Sequence, residues 1–306
     1  MDPQLLATQI LNGVQFGVLL FLLSAGLTLI FGIMNFVNLA HGSLYMMGAY
    51  VAAAVFNLYG SFALALMAAI PAAILIGIAL DRIVLAGLYS REHLDQVLAT
   101  FGLILVFNEV VRYIWGSAPI YINAPQALRG TLDFLGFSYP SYRIFIIAVG
   151  LLCGLGLYLL INKTRVGMLI RAGAADAEMV DAMGTNIRRL NTLIFGLGAG
   201  LAGLGGVMAG PILSVQPGMG EPILILTLVV IVTGGIGSIR GAFYGALIVG
   251  LVDTLGRAFL PAAFNELLAK SLAQAAGPAV ASMLIYLLMA FVLAIRPHGL
   301  FPVRNG

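Results

Sequence analysis

A polar stretch interrupts an apolar region near the N-terminus, reading NFVNLAHGSLYMMGAY at residues 35–50. Its asparagine, histidine and serine side chains could bind a polar solute or hydrogen-bond to neighbouring helices. If the stretch is helical, Asn35, Asn38 and His41 recur at every third residue and form one stripe. Because a polar group in hydrocarbon is costly unless a partner satisfies it, we predict that this stripe faces an interior or a cavity.

Other polar residues inside apolar segments extend this prediction to a wider set. The candidates for lining a polar path are Asn12, Gln15, Asn35, Asn38, His41, Ser43 and Asn108. Glu109 and Arg112 are three residues apart, a spacing that favours mutual neutralisation near a helix end. The sequence therefore predicts a helical bundle with polar groups directed inward.

Catalytic and cofactor chemistry have few residues available. His41 and Ser43 point in different directions on a helix, which disfavours a nucleophile and base pair. The three histidines lie far apart without cysteine or carboxylate at metal-ligand spacing. Neither lysine follows a glycine, so a phosphate-binding Gly-Lys-Ser/Thr motif is absent. We predict no catalytic residue, no metal, no cofactor bound by this chain and no nucleic-acid partner.

The composition places the chain in a membrane. Hydrophobic residues make up 61% and charged residues 9% of the sequence, against roughly 25% charged in a soluble domain. Many apolar runs are long enough to cross ~30 Å of hydrocarbon as helix. The run FALALMAAIPAAILIGIAL at 62–80 is apolar on every face, whereas a barrel strand would alternate. The predicted fold class is an all-α polytopic membrane protein.

About nine transmembrane helices are predicted, with an N-out/C-in orientation. Their ranges are 9–31, 40–56, 61–80, 95–115, 142–161, 191–212, 222–238, 241–262 and 276–295. With the C-terminus inside, ten of the 15 basic residues are cytoplasmic, as the positive-inside rule requires. These ten are Arg82, Arg91, Lys163, Arg165, Arg171, Arg188, Arg189, Arg240, Arg296 and Arg304. The connections at 31–40 and 238–241 are so short that one of these hairpins could be re-entrant.

The longest cytoplasmic loop, residues 162–190, contains a short predicted helix. Helix-forming residues in ADAEMVDAM are followed by Gly184, which is typical of a helix C-terminus. Met179, Val180 and Met183 are predicted to share one face. The helix could lie on the membrane as an ordinary connector. Docking to another protein is favoured, because an anionic leaflet would repel its acidic residues and exposed methionines suit adaptable protein contacts.

Small residues follow this loop at helical spacing. The glycines predicted to let helix backbones approach closely are Gly196, Gly200, Gly206, Gly210, Gly237, Gly241 and Gly245. Tight packing within one bundle is the favoured role for most of them. Some could instead line a path or face a second subunit.

Three motifs resemble the signatures of one family. NLAHGSLYMMGAY at 38–50, RAGAADAEMVDAMGTNIRRL at 171–190 and GGIGSIRGAFYGA at 234–246 are similar to those of the LivH-type permease subunit of bacterial branched-chain amino-acid ABC importers. The resemblance covers essentially the whole chain. It implies a type II ABC importer permease fold with two four-helix inverted repeats, one transmembrane domain at 1–306 and a multi-pass location in the bacterial inner membrane.

The resemblance also implies partners and a mechanism. The partners are a second, LivM-type permease subunit, two cytoplasmic ATPase subunits that use ATP and Mg, a periplasmic substrate-binding protein and the surrounding membrane lipid. The loop helix corresponds to the family's coupling helix. The residues then expected at the ATPase contact are Arg171, Asp176, Glu178, Met179, Met183, Gly184 and Asn186. Closure of the ATPase dimer would drive alternating access of the membrane helices.

The implied substrates are branched-chain or related amino acids. The chain departs from many relatives at Ser43, where they have an acidic residue, and at Arg240, where they have proline. Similar permeases serve amides, urea or aromatic acids, which are the alternative substrates. A stand-alone secondary transporter is a further alternative, disfavoured because the span interiors are expected to lack an acidic residue.

Overall fold

The computed structural model describes residues 3–134, 137–267 and 270–301, which form eleven α-helices and one β-hairpin. The first five helices are α1 Pro3–Met34, α2 His41–Tyr59, α3 Phe62–Ile83, α4 His93–Trp115 and α5 Ser141–Lys163. The remaining six are α6 Arg165–Ala175, α7 Ala177–Ala182, α8 Ile187–Ala209, α9 Gly220–Gly234, α10 Ile239–Leu267 and α11 Lys270–Ile295. Strands β1 Thr131–Phe134 and β2 Phe137–Pro140 pair antiparallel between α4 and α5.

The predicted class is confirmed, and each of the nine predicted spans lies on a helix. Seven helices in the described part are long and apolar enough to cross a membrane: α1, α3, α4, α5, α8, α10 and α11. The other two predicted spans correspond to α2 and α9, and α9 is a shorter apolar helix. The span count and the N-out/C-in orientation stay predictions, and Arg304 lies outside the described residues.

Helices α1 and α8 form the centre of the bundle. Every α1 residue from Gly17 to Ile30 is buried, because α10, α8, α5 and α9 surround this helix. Helix α8 contacts α1, α2 and α3. A helix that a bundle surrounds is hydrophobic on all sides, because none of its faces meets water. This explains why α1 has no amphipathic face. Helices α4, α5 and α11 are peripheral and expose large apolar side chains.

Glycine allows the central helices to touch through their backbones. A Cβ placed on Gly206 would overlap the carbonyl oxygen of Tyr45 in α2, and one on Gly200 would come within 2.9 Å of Ile74 in α3. Gly196, Gly241 and Gly245 also meet a neighbouring helix, and Gly210 directly follows α8 beside Ile122. Gly237 lies in the turn between α9 and α10 with a φ of 79°, and a Cβ on Gly32 of α1 would come within 3.3 Å of its Cα.

We expect Gly206→Ala to destabilise the chain, because the added methyl group has no room against the α2 backbone. Overpacking of this kind costs about 1–3 kcal/mol. Gly102→Ala is the matched control, since nothing lies within 4 Å of its Cβ position on α4. Alanine there should stabilise by up to ~1 kcal/mol through helix propensity. Thermal unfolding of the detergent-purified chain measures both effects. Equal unfolding temperatures for the Gly206→Ala variant, the Gly102→Ala variant and the unsubstituted chain would contradict the packing role of Gly206.

Candidate functional site

Helices α2 and α9 both begin partway through the bundle. The first residue of α2, His41, lies with its Nε2 3.2 Å from the carbonyl oxygen of Leu23 in α1. Leu23 precedes the end of α1 at Met34 by eleven residues, or about 16 Å of helix. Helix α9 has 15 residues, or about 22 Å, which is less than the ~30 Å hydrocarbon thickness. The segment at 35–40 therefore turns back into the bundle, as a re-entrant connection would.

The N-termini of α2 and α9 meet each other. A Cβ on Gly42 would overlap the carbonyl oxygen of Gly220, and a Cβ on Gly220 would overlap that of Gly42. Glycine at both positions is what permits this contact. Two helix N-termini with their partial positive charges thus lie side by side inside the bundle.

Polar side chains of α4 and α9 lie beside this contact. The Asn108 amide donates to a Glu221 carboxylate oxygen at 2.5 Å, and its carbonyl oxygen accepts from the Gly218 backbone N–H at 3.1 Å. Asn108 lies seven residues, or about 10 Å, before the end of α4 at Trp115. The hydrogen bond to Asn108 therefore holds Glu221 beside the interior of α4, away from the end of that helix.

These groups line a narrow space that we name the α2–α9 crevice. Its residues are Leu39, Gly42, Ser43, Met46, Ile104, Asn108, Gly220, Glu221 and Leu224. The crevice is closed in this conformation, with no room for a water molecule. A solute could enter only if α2, α4 and α9 moved apart.

The predicted path residues separate into three places. Ser43 and Asn108 line the crevice, and the buried residues Asn38 and His41 lie next to its lining residues in the chain. The predicted stripe is wrong, because residues 35–38 are not helical and Asn35 is exposed at a break with a φ of 46°. Only the segment from His41 onward is helical.

Asn12 and Gln15 do not line the crevice. The Asn12 side-chain oxygen accepts hydrogen bonds from the Tyr139 hydroxyl at 3.1 Å and from the Arg143 guanidinium. These bonds attach α1 to β2 and α5. Gln15 is buried one turn further along α1. The geometry gives Asn12 a role in joining the hairpin to the bundle.

Asn38 is buried, and both polar atoms of its amide lack a hydrogen-bond partner among the described residues. The same holds for Nδ1 of His41. Leaving a buried polar group unpaired costs about 1–3 kcal/mol. A group that is unpaired in one conformation gains a partner if a solute or a rearranged helix meets it in another.

We therefore expect Asn38→Leu to leave thermal stability unchanged or raised while transport by the assembled protein falls at least fivefold. Leucine has the same branching and the same number of side-chain heavy atoms as asparagine, and it removes the unpaired amide. Unfolding temperature and solute uptake in proteoliposomes measure the two effects. A parallel loss of stability and uptake would instead assign Asn38 to packing.

Sequence reasoning missed Glu221. The predicted span began at 222, one residue later, and the span interiors were expected to lack an acidic residue. That expectation is wrong, because the hydrogen bond to Asn108 holds Glu221 within the bundle. The signal available in the sequence was QPGMGEP at 216–222, in which proline and glycine interrupt two apolar runs.

Helix α7 is the predicted loop helix. Asp176 begins it by accepting a hydrogen bond from the Met179 backbone N–H at 2.9 Å. Gly184 follows its end with a φ of 89°, and Thr185 N–H donates to the Val180 carbonyl at 3.3 Å, which is a Schellman arrangement. The helix and its C-terminal glycine were predicted from sequence.

The exposed face of α7 is apolar and acidic. Met179 and Met183 are 59% and 80% exposed, whereas Val180 is 7% exposed and turns into the protein, contrary to the predicted shared face. Asp176, Glu178 and Asp181 are also exposed. Met179 of α7 and Met183, its C-cap residue, are four residues apart and both project from the surface.

Two other predicted contact residues lie outside α7. Arg171 belongs to α6 and donates a hydrogen bond to the Ile161 carbonyl at the end of α5. Asn186 caps α8, where its side-chain oxygen accepts from the Arg189 N–H at 3.0 Å. Both residues position the helices that flank α7.

A buried carboxylate near the end of α3 joins this helix to α8. Asp81 accepts hydrogen bonds from the Tyr89 hydroxyl and, at 2.7 Å, from the Thr192 hydroxyl. Burial raises the pKa of Tyr89, and the hydrogen bond and negative charge of Asp81 raise it further, so this phenol stays a neutral donor. Thr192 lies on α8, the next helix after α7, so this cluster links α3 to the helix that follows α7. Sequence reasoning did not identify it.

Comparison with known proteins gives a consistent result. A family model described as the permease component of branched-chain amino acid transport systems matches residues 9–293. The chain is 29% identical to the high-affinity branched-chain amino acid transport permease BraD of Pseudomonas aeruginosa, over 95% of this chain and 94% of that protein. It is 28% identical to LivH of Escherichia coli over the same shares. The fructose import permease FrcC of Rhizobium meliloti is 30% identical over 54% of this chain and 48% of its own length.

Proposed function

This chain belongs to the family of permease components of branched-chain amino acid transport systems, and we propose that it moves such amino acids, or related ones, through a path opened at the α2–α9 crevice. The chain is a multi-pass membrane protein and the membrane subunit of an ABC importer. The family match over residues 9–293 carries the importer role, and the polar lining of the crevice supports the position of the path.

The energy for transport is proposed to come from partner chains. The partners would be two cytoplasmic ATPases that use ATP and Mg, a second permease subunit of LivM type, and a periplasmic substrate-binding protein. The exposed methionines of α7 suit insertion into a groove on an ATPase, since flexible thioethers adapt to irregular apolar surfaces. The cluster at Asp81 then connects α7 movement to α3.

The crevice has the polar groups that an amino acid zwitterion requires. The Glu221 carboxylate complements an ammonium group, and the N-termini of α2 and α9 complement a carboxylate. Glu221 thereby supplies a negative charge near Ser43. An aliphatic side chain would contact Leu39, Ile104 and Leu224. These features support amino acids over fructose, the substrate named for FrcC.

Purification of the tagged chain from its native membrane tests the proposal. We expect a second permease and two ATPase subunits to co-purify, and the reconstituted complex to take up leucine only with ATP and a binding protein. A Walker-A lysine substitution in the co-purified ATPase is the matched control and should abolish uptake.

A secondary transporter is the second candidate, because Glu221 is an acidic residue within the bundle. In that case the chain would purify alone and move solute without ATP when a proton or sodium gradient is applied. That result would overturn the importer proposal.

A further inference from the structure

An apolar groove runs along the outer surface of the bundle between α5 and α10. Its walls include Leu151, Leu155 and Tyr158 of α5 and Phe243 and Tyr244 of α10, and Phe21 of α1 contributes to its lining. We name it the α5–α10 groove. Leu151, Leu155, Tyr158 and Tyr244 are each at least 46% exposed, so the chain itself leaves this apolar surface uncovered.

Two arginines close one end of the groove. Arg171 of α6 and Arg240, the second residue of α10, both line it and are both exposed. The Arg171 guanidinium donates to the Ile161 carbonyl, which places it at the end of α5. Arg240 makes no side-chain hydrogen bond or ion pair within the described residues. No carboxylate is among the described residues that line the groove.

The length of the groove matches one lipid leaflet. It extends along α5 from Ile161, beside the arginines, to Leu151, a rise of ten residues or about 15 Å. Half of the ~30 Å hydrocarbon thickness is also about 15 Å. The arginines thus lie one leaflet thickness from the other end of the groove, which is beside Leu151. This places them at the depth of lipid headgroups on the α6 and α7 side of the membrane.

We propose that the α5–α10 groove binds an anionic phospholipid, with its phosphate between Arg171 and Arg240 and an acyl chain along the apolar walls. Two guanidinium groups without a facing carboxylate complement a phosphate diester. Asn162 and Ser238, which also line that end, can donate hydrogen bonds to the headgroup. Basic pockets between helices on the cytoplasmic side recognise lipids in this way.

A helix of another subunit fits the groove less well. A spanning helix needs about 30 Å of contact surface, twice the groove length, and would have to bring an acid to neutralise two arginines. A lipid supplies the phosphate and stops at the bilayer midplane. The bound lipid would also contact α6 through Arg171, close to α7.

Lipid mass spectrometry on the complex purified from its native membrane tests this proposal. We expect about one anionic phospholipid retained per chain, and at least a fivefold loss in Arg240→Ala. Arg91→Ala is the matched control, since Arg91 is exposed and basic but lies outside the groove. Its lipid content should equal that of the unsubstituted complex.

A second pair of variants separates lipid binding from folding. Leu155→Trp fills the groove and should reduce retention, whereas Leu152→Trp on the same helix, outside the groove lining, should not. Size-exclusion profiles confirm assembly of each variant. Equal lipid retention in Arg240→Ala, Leu155→Trp and their controls would overturn the proposal. So would a photo-crosslinker at residue 155 that labels a partner subunit and no phospholipid.

Discussion

Replacement of both Met179 and Met183 by glutamate should separate this chain from the ATPase subunits proposed as its partners while leaving its own fold intact. Met179 of α7 and Met183 at its C-cap are 59% and 80% exposed, so the chain's own packing does not depend on their side chains. At a protein interface each buried apolar anchor contributes on the order of 2 kcal/mol, and introduced charges add a desolvation cost. We expect at least a hundredfold weaker association, measured by titration of ATPase subunits onto the chain in nanodiscs.

The choice of residues matters, because a charge reversal at Asp176 would give an ambiguous result. Asp176 caps α7 through its bond to the Met179 N–H, so its loss would also destabilise the helix by about 0.5–2 kcal/mol. Met183→Leu is the conservative control and should retain binding. Met168→Glu places the same change on α6, at 55% exposure, and should also retain binding. Unchanged association of the double glutamate variant would exclude α7 as the ATPase contact.

Glu221→Gln should reduce uptake at least tenfold and change the free energy of unfolding by less than about 1 kcal/mol. Glutamine has the same shape and can keep the hydrogen bond to Asn108, so a purely structural role of Glu221 survives the substitution. A role in pairing with a substrate ammonium group does not, because the negative charge is lost. A tenfold reduction in uptake corresponds to a loss of about 1.4 kcal/mol in interaction free energy.

The matched control for this prediction is Glu109→Gln. Glu109 directly follows Asn108 on α4, and its carboxylate is exposed and paired with Arg112 at 2.7 Å, as the spacing predicted. An exposed pair of this kind contributes little, so uptake should stay near that of the unsubstituted complex. Initial rates of labelled leucine uptake in proteoliposomes give the comparison. Equal rates for the two variants would show that the Glu221 charge has no part in transport.

The membrane class and the outline of the fold could be read from the sequence. The run at 62–80 is apolar on all faces, it and the run at 142–161 are long enough to span a bilayer, and both are helices. The end of α7 was also predictable, since a left-handed residue after a helix favours glycine and Gly184 fills that position. Local backbone chemistry and the length of apolar runs determine such features without reference to the rest of the chain.

Only the tertiary structure decided where the polar groups lie. Asn35 was predicted to face inward and is exposed, whereas Glu221 was placed outside a span and lies within the bundle. The depth of α2 depends on the bond of His41 to Leu23, and that of α9 on the bond of Asn108 to a residue 113 positions later. Helical periodicity relates residues within one helix, but the depth at which a short helix begins is fixed by contacts with helices far away in the chain. The sequence alone therefore determined which segments are helical and apolar, and helix packing determined which polar side chains meet.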